Sequence, residues 1–441
     1  MEFFKKHGLT NVFRRFLRIY SKPFSPVIQA TSGSALLAQE ADRDILDNAT
    51  LPQSARTFWR RWIDAFKRIL PLYIAMHLAF FAISCLAVLF RVQDFQRKGM
   101  PLQTLWQSWH HWDTGNFMSI ALHGYGQLFR TAFFPLFPLL ERGLSYLTHG
   151  DPLIAGLIIS NIALLFLFMV LYQLVQEDFD AERAFATVLY LAIFPTAFFL
   201  AAGYNESLFL CLTLISFYNM RHGNWWIAGF FGFCAGLTRS VGVLLLLPFC
   251  YEYLRQHEFN IKKLHLNALA GILIPAAILL FGVYCYFNFH DFLAFSHAEA
   301  TWQRSLHGPW HGIIGSIKAI IISDGFLSFQ ALRNMLDLGP DLLIGVLLLL
   351  SLVGPWRIPR SARSYSIYGI ALYLFLQLFP KGGTGLFPLE SMARYMLEIF
   401  PAFIVMAGFA KYRMWHFNYL IVSGALLFFL LTQYLTGHWV L

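Results

Sequence analysis

Two acids and two arginines interrupt a mostly apolar sequence at positions where a charge needs an explanation. Asp113 follows the first long apolar segment, and Glu206 lies between two apolar runs with almost no loop. Arg239 and Arg394 each lie at the edge of an apolar segment. Ionisable groups at membrane depth are costly, so they are usually paired or functional. A carboxylate can accept a proton from a hydroxyl, and a guanidinium can hold a phosphate with two hydrogen bonds.

Asp113 directly follows Trp112 in a stretch rich in aromatic residues and histidines. Apart from Asp94, it is the only acid between Arg91 and Leu140. A carboxylate in this setting could act as a general base that activates an acceptor hydroxyl, and it could also bind a divalent cation. The same residue followed by Thr-Gly-Asn is a pattern typical of a helix N-cap. The residues themselves leave both interpretations open.

The other three charged residues each have two interpretations. Glu206 is a functional acid in a tight turn, or it caps or stabilises the dipole of a helix that starts at Ser207. Arg239 binds a phosphate, or it forms a buried ion pair, with Glu206 as the candidate partner. Arg394 has the same two interpretations. Two arginines and two acids would suffice for a phosphorylated donor and a hydroxyl acceptor.

The composition is that of a polytopic membrane protein. Of 441 residues, 57% are hydrophobic and 13% are charged, whereas soluble domains carry about 25% charged residues. The net charge of +9 does not indicate nucleic acid, because the basic residues lie in the N-terminal tail and in short loops. That distribution is the positive-inside pattern of membrane proteins. Membrane lipid is therefore an expected partner, and nucleic acid is not.

Apolar runs predict an all-α protein with about eleven transmembrane helices. A spanning helix needs roughly 20 apolar residues, and several of the runs are shorter. The predicted segments are, approximately, 70–90, 152–175, 184–202, 207–220, 225–235, 241–253, 266–287, 338–353, 367–378, 397–410 and 417–434.

The basic loops predict the orientation of these segments. Residues 1–68 hold twelve Lys/Arg against six Asp/Glu and no long apolar run, which indicates a basic cytoplasmic tail before a multispanning domain at 69–441. The outer side then receives long loops at about 91–151 and 288–337, with interfacial helices, and a shorter loop at about 379–394. Alternatively, 131–148 also spans the membrane, and 225–253 is then one long helix that places Glu206 inside. We prefer the first scheme because two prolines and a short length suit an interfacial segment.

Neither the histidines nor the cysteines predict a metal site. The histidines between 290 and 311 do not follow a standard zinc spacing. The five cysteines all lie in apolar stretches, which is typical of buried hydrophobic residues: Cys85, Cys211, Cys234, Cys250 and Cys285. We assign no metal ligands and no certain cofactor, and a divalent cation at the acids stays possible.

An ordered set of short motifs resembles the GPI mannosyltransferase 2 family and its bacterial relatives, within the GT-C class of multispanning glycosyltransferases. Each motif is weak alone, but their order over about residues 70–410 makes the set specific. They are Trp112-Asp113 through Gly124-Tyr125, Phe133-Phe134-Pro135-Leu136-Phe137-Pro138, Phe194-Pro195-Thr196, Tyr204-Asn205-Glu206-Ser207-Leu208-Phe209, Gly236-Leu237-Thr238-Arg239, and Ala393-Arg394-Tyr395 with Phe400-Pro401.

The resemblance implies transfer of mannose, or a related sugar, from a polyprenyl-phosphate donor to a lipid-linked or glycan acceptor at the extracytoplasmic face. It implies that Asp113 is the catalytic base and Glu206 the second acid of the site. One base without a nucleophile indicates single displacement with inversion, during which Arg239 and Arg394 would stabilise the phosphate charge. We expect Trp112, Tyr204, Asn205 and Tyr395 to hold the acceptor or line the site.

The main alternative is a polytopic lipid or solute transporter, such as a flippase, because broken helices with buried charges also mark substrate paths. The absence of internal repeats and the charges at predicted outer ends favour the transferase. The expected location is the plasma membrane in a bacterium or the endoplasmic reticulum membrane in a eukaryote.

Overall fold

The computed structural model describes residues 53–91, 99–381 and 385–438, and these residues are almost entirely helical. Their only strand-like pairing is an isolated antiparallel bridge between Arg304 and Lys381. The predicted all-α class is therefore confirmed. The chain divides into two units after Arg60, and the packing described below is that of the second unit.

The helices are numbered in chain order. They are α1 Gln53–Arg91, α2 Leu102–Gln107, α3 Asp113–His123, α4 Leu136–Ser145, α5 Pro152–Asp178, α6 Ala181–Ala192, α7 Glu206–Arg221, α8 Trp225–Thr238, α9 Leu246–Gln256, α10 Leu273–Phe289, α11 Ala294–His297, α12 His311–Ile321, α13 Phe329–Leu352, α14 Arg363–Leu378, α15 Met392–Tyr395, α16 Phe400–Ala407 and α17 Arg413–Leu435. Short 3₁₀ helices lie between them, including Ser240–Leu245, Leu266–Ile272, Ala298–Trp302 and Met396–Glu398.

Five helices are long and apolar enough to cross a membrane, so the chain is an integral membrane protein of the predicted polytopic kind. They are Trp59–Phe90, Pro152–Asp178, Leu266–Phe289, Phe329–Leu352 and Arg413–Leu435. Each of the other predicted segments also contains a helix, but these helices have 8 to 16 residues. The count of eleven spans stays a prediction.

The first helix begins earlier than the predicted tail boundary at residue 68. α1 is continuous from Gln53 to Arg91, so the last residues of the predicted tail already belong to the helix that contains the first span. The remainder of the tail, residues 1–52, lies outside the described residues. Its cytoplasmic location stays a prediction.

The structure shows a short helix within residues 131–148, and the membrane topology of this segment stays a prediction. α4 has 10 residues, about 15 Å of helix, which is half of the roughly 30 Å hydrocarbon core. The alternative also requires one helix over 225–253, and this is wrong because α8 ends at Thr238. The chain there turns back so closely that a Cβ on Gly242 would lie 2.6 Å from the amide nitrogen of Gly236. A side chain larger than hydrogen would open this turn.

Small residues let α8 lie directly against the segment Leu266–Phe289. A Cβ added at Gly232 would lie 2.8 Å from Ile274, and one added at Gly236 would lie 2.7 Å from Ala277. Lipid tails are as apolar as the side chains, so helices in a membrane associate through van der Waals contact. Close backbone approach provides that contact. The packing fixes the end of α8, where Arg239 follows.

The two most buried helices both start near the predicted site residues. Every residue of α16 is buried, and α7 is buried over almost its whole length. α7 packs against α5 and α8, and α16 packs against α6 and α13. Glu206 is the first residue of α7, and Glu398 lies two residues before α16.

An ionic cluster lies at the C-terminal end of α7. Arg221, the last residue of α7, pairs with Asp178 at the end of α5 and lies 3.2 Å from Glu252 on α9. Arg255 pairs with the same Glu252 at 2.5 Å. α7 is about 24 Å long, and this cluster holds the end opposite to Glu206.

Candidate active site

Asp113 begins α3 and reaches out of that helix to a distant arginine. Its Oδ2 accepts a hydrogen bond from Arg394 Nη1 at 2.6 Å. The helix starts where the cap interpretation predicted, but its N-cap residue is Trp112 and not Asp113. This cap makes no side-chain hydrogen bond to the helix. Trp112 has φ +46°, a left-handed conformation that is strained for a bulky residue and recurs at functional sites.

Glu206 is fully buried and holds two arginines at once. Its Oε1 accepts from Arg394 Nε at 2.6 Å and from Arg239 Nη1 at 2.9 Å, and Arg394 Nη2 is in contact with the same oxygen. Glu206 also lies in the first turn of α7, where the helix dipole favours negative charge. The ion pair proposed for Arg239 and the dipole role proposed for Glu206 therefore coexist.

Arg239 follows the end of α8 and is shared among three acceptors. Besides Glu206, its Nη1 lies 3.1 Å from Asn205 Oδ1 and 3.0 Å from Glu398 Oε1. The contact with Glu398 is an ion pair without the angle of a hydrogen bond, because one nitrogen with two hydrogens cannot serve three acceptors well. Asn205 donates in turn to the carbonyl of Thr238 at 2.9 Å, which fixes the turn before Arg239.

Arg394 lies on the short helix α15, which neighbouring elements hold on two sides. The amide of Ala393 donates to Asp337 at 3.0 Å, and its carbonyl accepts from Thr196 at 2.9 Å. The guanidinium carbon of Arg394 lies 4.5 Å from the ring centroid of Tyr204, a cation–π distance. Arg394 therefore bridges α3 and α7 from a fixed position.

The aromatic residues predicted to line the site surround these charges. Tyr204 is buried, and its hydroxyl donates to the carbonyl of His111 at 3.1 Å. Tyr395 is partly exposed, with its ring centroid 5.2 Å from the Arg239 guanidinium carbon. Trp112 lies against Tyr434, with ring centroids 5.3 Å apart. Tyr434 also lines the site. Sequence analysis did not identify it, because it lies in the last span among other aromatic residues.

Glu398 is the charged member that sequence reasoning missed. It lies in the run Leu397-Glu398-Ile399-Phe400 that we assigned to the start of a span, and it is 1% exposed. An acid inside an apolar segment is itself a signal of a paired or functional group. The same rule that selected Glu206 could have selected it.

Exposure divides the cluster into a closed part and an open part. Glu206 and Glu398 are 0% and 1% exposed, whereas the side chains of Asp113 and Arg239 are 21% and 16% exposed. Asp113 Oδ1 makes no hydrogen bond to any residue that the structure describes. Among Asp113, Glu206 and Glu398, it is thus Asp113 that offers a carboxylate oxygen to an incoming group.

Among the described residues there is no group of three or more His, Cys, Asp or Glu placed to hold a metal ion. His297 pairs with Asp291 at 2.7 Å, and His307 stacks on His311 with ring centroids 4.2 Å apart. Cys211 and Cys285 are buried, Cys85 and Cys234 are partly exposed, and Cys250 is exposed. The prediction that all five cysteines are buried is therefore confirmed only for the first two. A divalent cation at Asp113 would compete with Arg394 for the carboxylate.

Glu141, on α4, is a further buried acid, and sequence analysis did not single it out. It is fully buried, and neither carboxylate oxygen has a hydrogen-bond partner among the described residues. The missing side chain of Gly156 makes room for it, since a Cβ there would lie 2.7 Å from Glu141 Oε1. Burial, and secondarily the charge of Asp151, raises the pKa of Glu141 to about 9.

The fold and this site define an integral membrane protein whose central helices meet at a buried cluster of acids and arginines. The sequence model of the family described as "Mannosyltransferase (PIG-V)" matches residues 66–312, more than half of the chain. The chain belongs to this family, and the predicted family is confirmed. The match covers the segments of Asp113, Glu206 and Arg239, whereas Arg394 lies beyond it.

Curated relatives carry related names. GPI alpha-1,6-mannosyltransferase 2 of Rattus norvegicus is 36% identical over 149 residues, which are 30% of this chain and 30% of the relative. GPI mannosyltransferase 2 of Schizosaccharomyces pombe is 26% identical over 285 residues, which are 62% of this chain and 57% of the relative. These alignments span less than two thirds of the length of the relatives.

Two solved structures are similar at low identity. ArnT from Cupriavidus metallidurans bound to undecaprenyl phosphate has a TM-score of 0.47 and 16% identity, over 78% of this chain and 62% of that chain. The oligosaccharyltransferase of Archaeoglobus fulgidus has a TM-score of 0.39 and 11% identity, over 82% of this chain and 55% of that chain.

Replacing Glu206 with glutamine should destabilise the protein strongly. Glutamine leaves the buried Arg394 and the partly exposed Arg239 without their shared counter-ion, and breaking a buried pair costs about 3–5 kcal/mol. The melting temperature in detergent measures the loss. Glu258→Gln is the control, since this acid forms an exposed pair with Lys263 and its replacement should leave the melting temperature unchanged. Equal melting temperatures of Glu206→Gln and the wild type would contradict this role.

Replacing Glu141 with glutamine should make the protein more stable, increasingly so as the pH rises. Between the ordinary pKa of 4.5 and about 9, the unfolded chain ionises at Glu141 while the folded protein keeps the proton, so the wild type loses stability. Glutamine does not titrate. The melting temperature of Glu141→Gln minus that of the wild type should therefore grow from pH 5 to pH 8.5.

The exposed Glu182 provides the control for that series, because Glu182→Gln should leave the dependence of melting temperature on pH unchanged. A difference between Glu141→Gln and the wild type that stays constant over this pH range would show that Glu141 ionises freely in the folded protein.

Proposed function

We propose that this protein is a membrane mannosyltransferase that moves mannose from a polyprenyl-phosphate donor to a hydroxyl of a lipid-linked acceptor. The observation that carries the proposal is the partly exposed Asp113 carboxylate, held by Arg394 at the open edge of a buried ionic cluster. Membership in a mannosyltransferase family and the names of the curated relatives support the sugar and the reaction type. Family membership also favours a transferase over the transporter alternative.

Asp113 acts as the general base in this proposal. Arg394 occupies Oδ2, so Oδ1 is the oxygen that accepts the proton of the acceptor hydroxyl. The deprotonated oxygen attacks the anomeric carbon, and the bond from that carbon to the donor phosphate oxygen breaks with the electron pair going to phosphate. One displacement inverts the anomeric configuration. General-base catalysis of this kind contributes about 10²–10⁴-fold to the rate.

Glu206 is a positioning residue and not a second base. It is fully buried, and the oxygen that faces the site already accepts from both arginines. Its charge holds Arg394 where that side chain can orient Asp113. Arg239 is partly exposed and lies beside Tyr395. It can therefore donate to the phosphate as charge grows there in the transition state.

The donor and the acceptor both approach from the membrane. The sugar is activated by its lipid phosphate, so the reaction needs no nucleotide-binding domain. The relatives are named for GPI, and a lipid-linked glycan is the matching class of acceptor. We place the reaction at the extracytoplasmic face, because the loops that carry the site alternate with the basic loops of the positive-inside pattern.

Replacing Asp113 with asparagine should lower the rate of mannose transfer at least about 100-fold, since asparagine cannot take the proton. The measurement uses purified protein in lipid vesicles with a polyprenyl-phosphate donor carrying radiolabelled mannose, and scores radiolabel in the acceptor. Glu258→Gln, at an exposed acid far along the chain, is the control and should transfer at the wild-type rate. Undiminished transfer by Asp113→Asn would show that Asp113 is not the general base.

The orientation is tested with single cysteines in a cysteine-free background. A cysteine at Ser305, exposed in the loop before α12, should react with an impermeant maleimide added to intact cells. A cysteine at Glu258, exposed after α9, should react only after lysis, because it lies in a predicted cytoplasmic loop. The reverse pattern would place the site on the cytoplasmic face.

A further inference from the structure

The ionic cluster has no uncompensated positive charge for a donor phosphate. Arg394 pairs with Asp113 and Glu206, and Arg239 pairs with Glu206 and Glu398. Three acids thus surround two guanidiniums. A phosphate that approached this cluster alone would meet more carboxylates than cations, so binding it requires a further positive charge nearby.

Arg304 lies beside the cluster and is bonded only to neutral groups. Its Nη1 donates to the carbonyl of Phe379 at 3.0 Å, and its Nη2 donates to the carbonyl of Glu390 at 2.9 Å. Its guanidinium carbon lies 5.3 Å from the ring centroid of Tyr395, the ring that Arg239 also approaches at 5.2 Å. Arg304 is therefore fixed next to the open side of the site.

Glu390, whose backbone carbonyl accepts a hydrogen bond from Arg304, already has its own counter-ions. Its carboxylate pairs with Arg333 at 2.8 Å and with Lys381. In the part of the chain that the structure describes, no carboxylate oxygen lies within 4.0 Å of the Arg304 guanidinium. No ion pair thus offsets the charge of Arg304, whereas ion pairs offset those of Arg239 and Arg394.

Two further acids, the buried Asp337 and Glu299, interact electrostatically with Arg304. Asp337 accepts a hydrogen bond from the amide of Ala393, and Glu299 lies on the 3₁₀ helix Ala298–Trp302. Neither carboxylate lies within ion-pair distance of the Arg304 guanidinium. Burial raises the pKa of Glu299, Arg304 and Arg239 oppose that rise, and Asp113 adds to it.

We propose that Arg304 binds the phosphate of the lipid-phosphate donor and supplies the unpaired positive charge of the site. Two of its five N–H donors are used by the carbonyls, and the rest are available to phosphate oxygens. Arg304 is half-buried, so a ligand can reach it. This inference rests on the proposed function, since it assigns the residue that holds the proposed donor.

Binding of farnesyl phosphate, compared with farnesol, tests the role of Arg304 without catalysis. In detergent, the wild-type protein should bind the phosphate more tightly than the alcohol. Arg304→Gln should weaken phosphate binding at least about 10-fold, as expected for loss of charge-assisted hydrogen bonds, and should leave farnesol binding unchanged. Arg333→Gln is the matched control, because this arginine is paired with Glu390, and it should keep the preference for phosphate.

The outcomes separate this inference from the proposed function. If the wild-type protein does not prefer the phosphate, the proposed lipid-phosphate donor is wrong. If it does and Arg304→Gln keeps the same preference, Arg304 does not hold the phosphate. If Arg304→Gln does not fold, Arg304→Lys decides, since lysine keeps the charge and must keep the preference for phosphate. A folded Arg304→Lys protein that binds phosphate and alcohol equally overturns the inference.

Discussion

The shared guanidinium of Arg394 is the interaction on which the site depends. It joins Asp113 at the start of α3 to Glu206 at the start of α7, two residues 93 positions apart in the chain. Removing charges from water is costly, and the attraction repays that cost only when the geometry is good and the partners are complete. The cluster therefore holds the ends of its helices in one arrangement, which is the requirement for orienting a catalytic carboxylate.

The same constraint explains the architecture around the cluster. α7 is almost entirely buried and has an ionic cluster at each end. Ion pairs with other residues of the protein thus hold its two ends, and apolar side chains pack along its middle. Small residues on α8 let that helix approach closely enough to place Arg239 beside Glu206. An apolar fold of this kind provides little electrostatic screening, and each charge therefore needs a partner at contact distance.

Sequence reasoning identified Asp113, Glu206, Arg239 and Arg394, because a charge in an apolar sequence is conspicuous. It did not identify Arg304, whose loop contains several polar residues in which one arginine is not distinctive. It assigned Glu398 to a span because the surrounding residues are apolar, although its charge was visible. The boundaries of the long spans were predicted well where hydrophobic runs end at polar residues, and poorly at α1, where the helix extends into the basic tail.

Hydrophobic run length and motif order are properties of the chain, and they sufficed to predict an all-helical membrane protein of a mannosyltransferase family. Which acid pairs with which arginine became known from the folded arrangement. Among the described residues, Asp113 keeps one oxygen without a hydrogen bond and Glu206 is enclosed, although both are acids at helix starts. That difference depends on contacts between segments far apart in the chain, where packing sets the distances and the exposure of each charge.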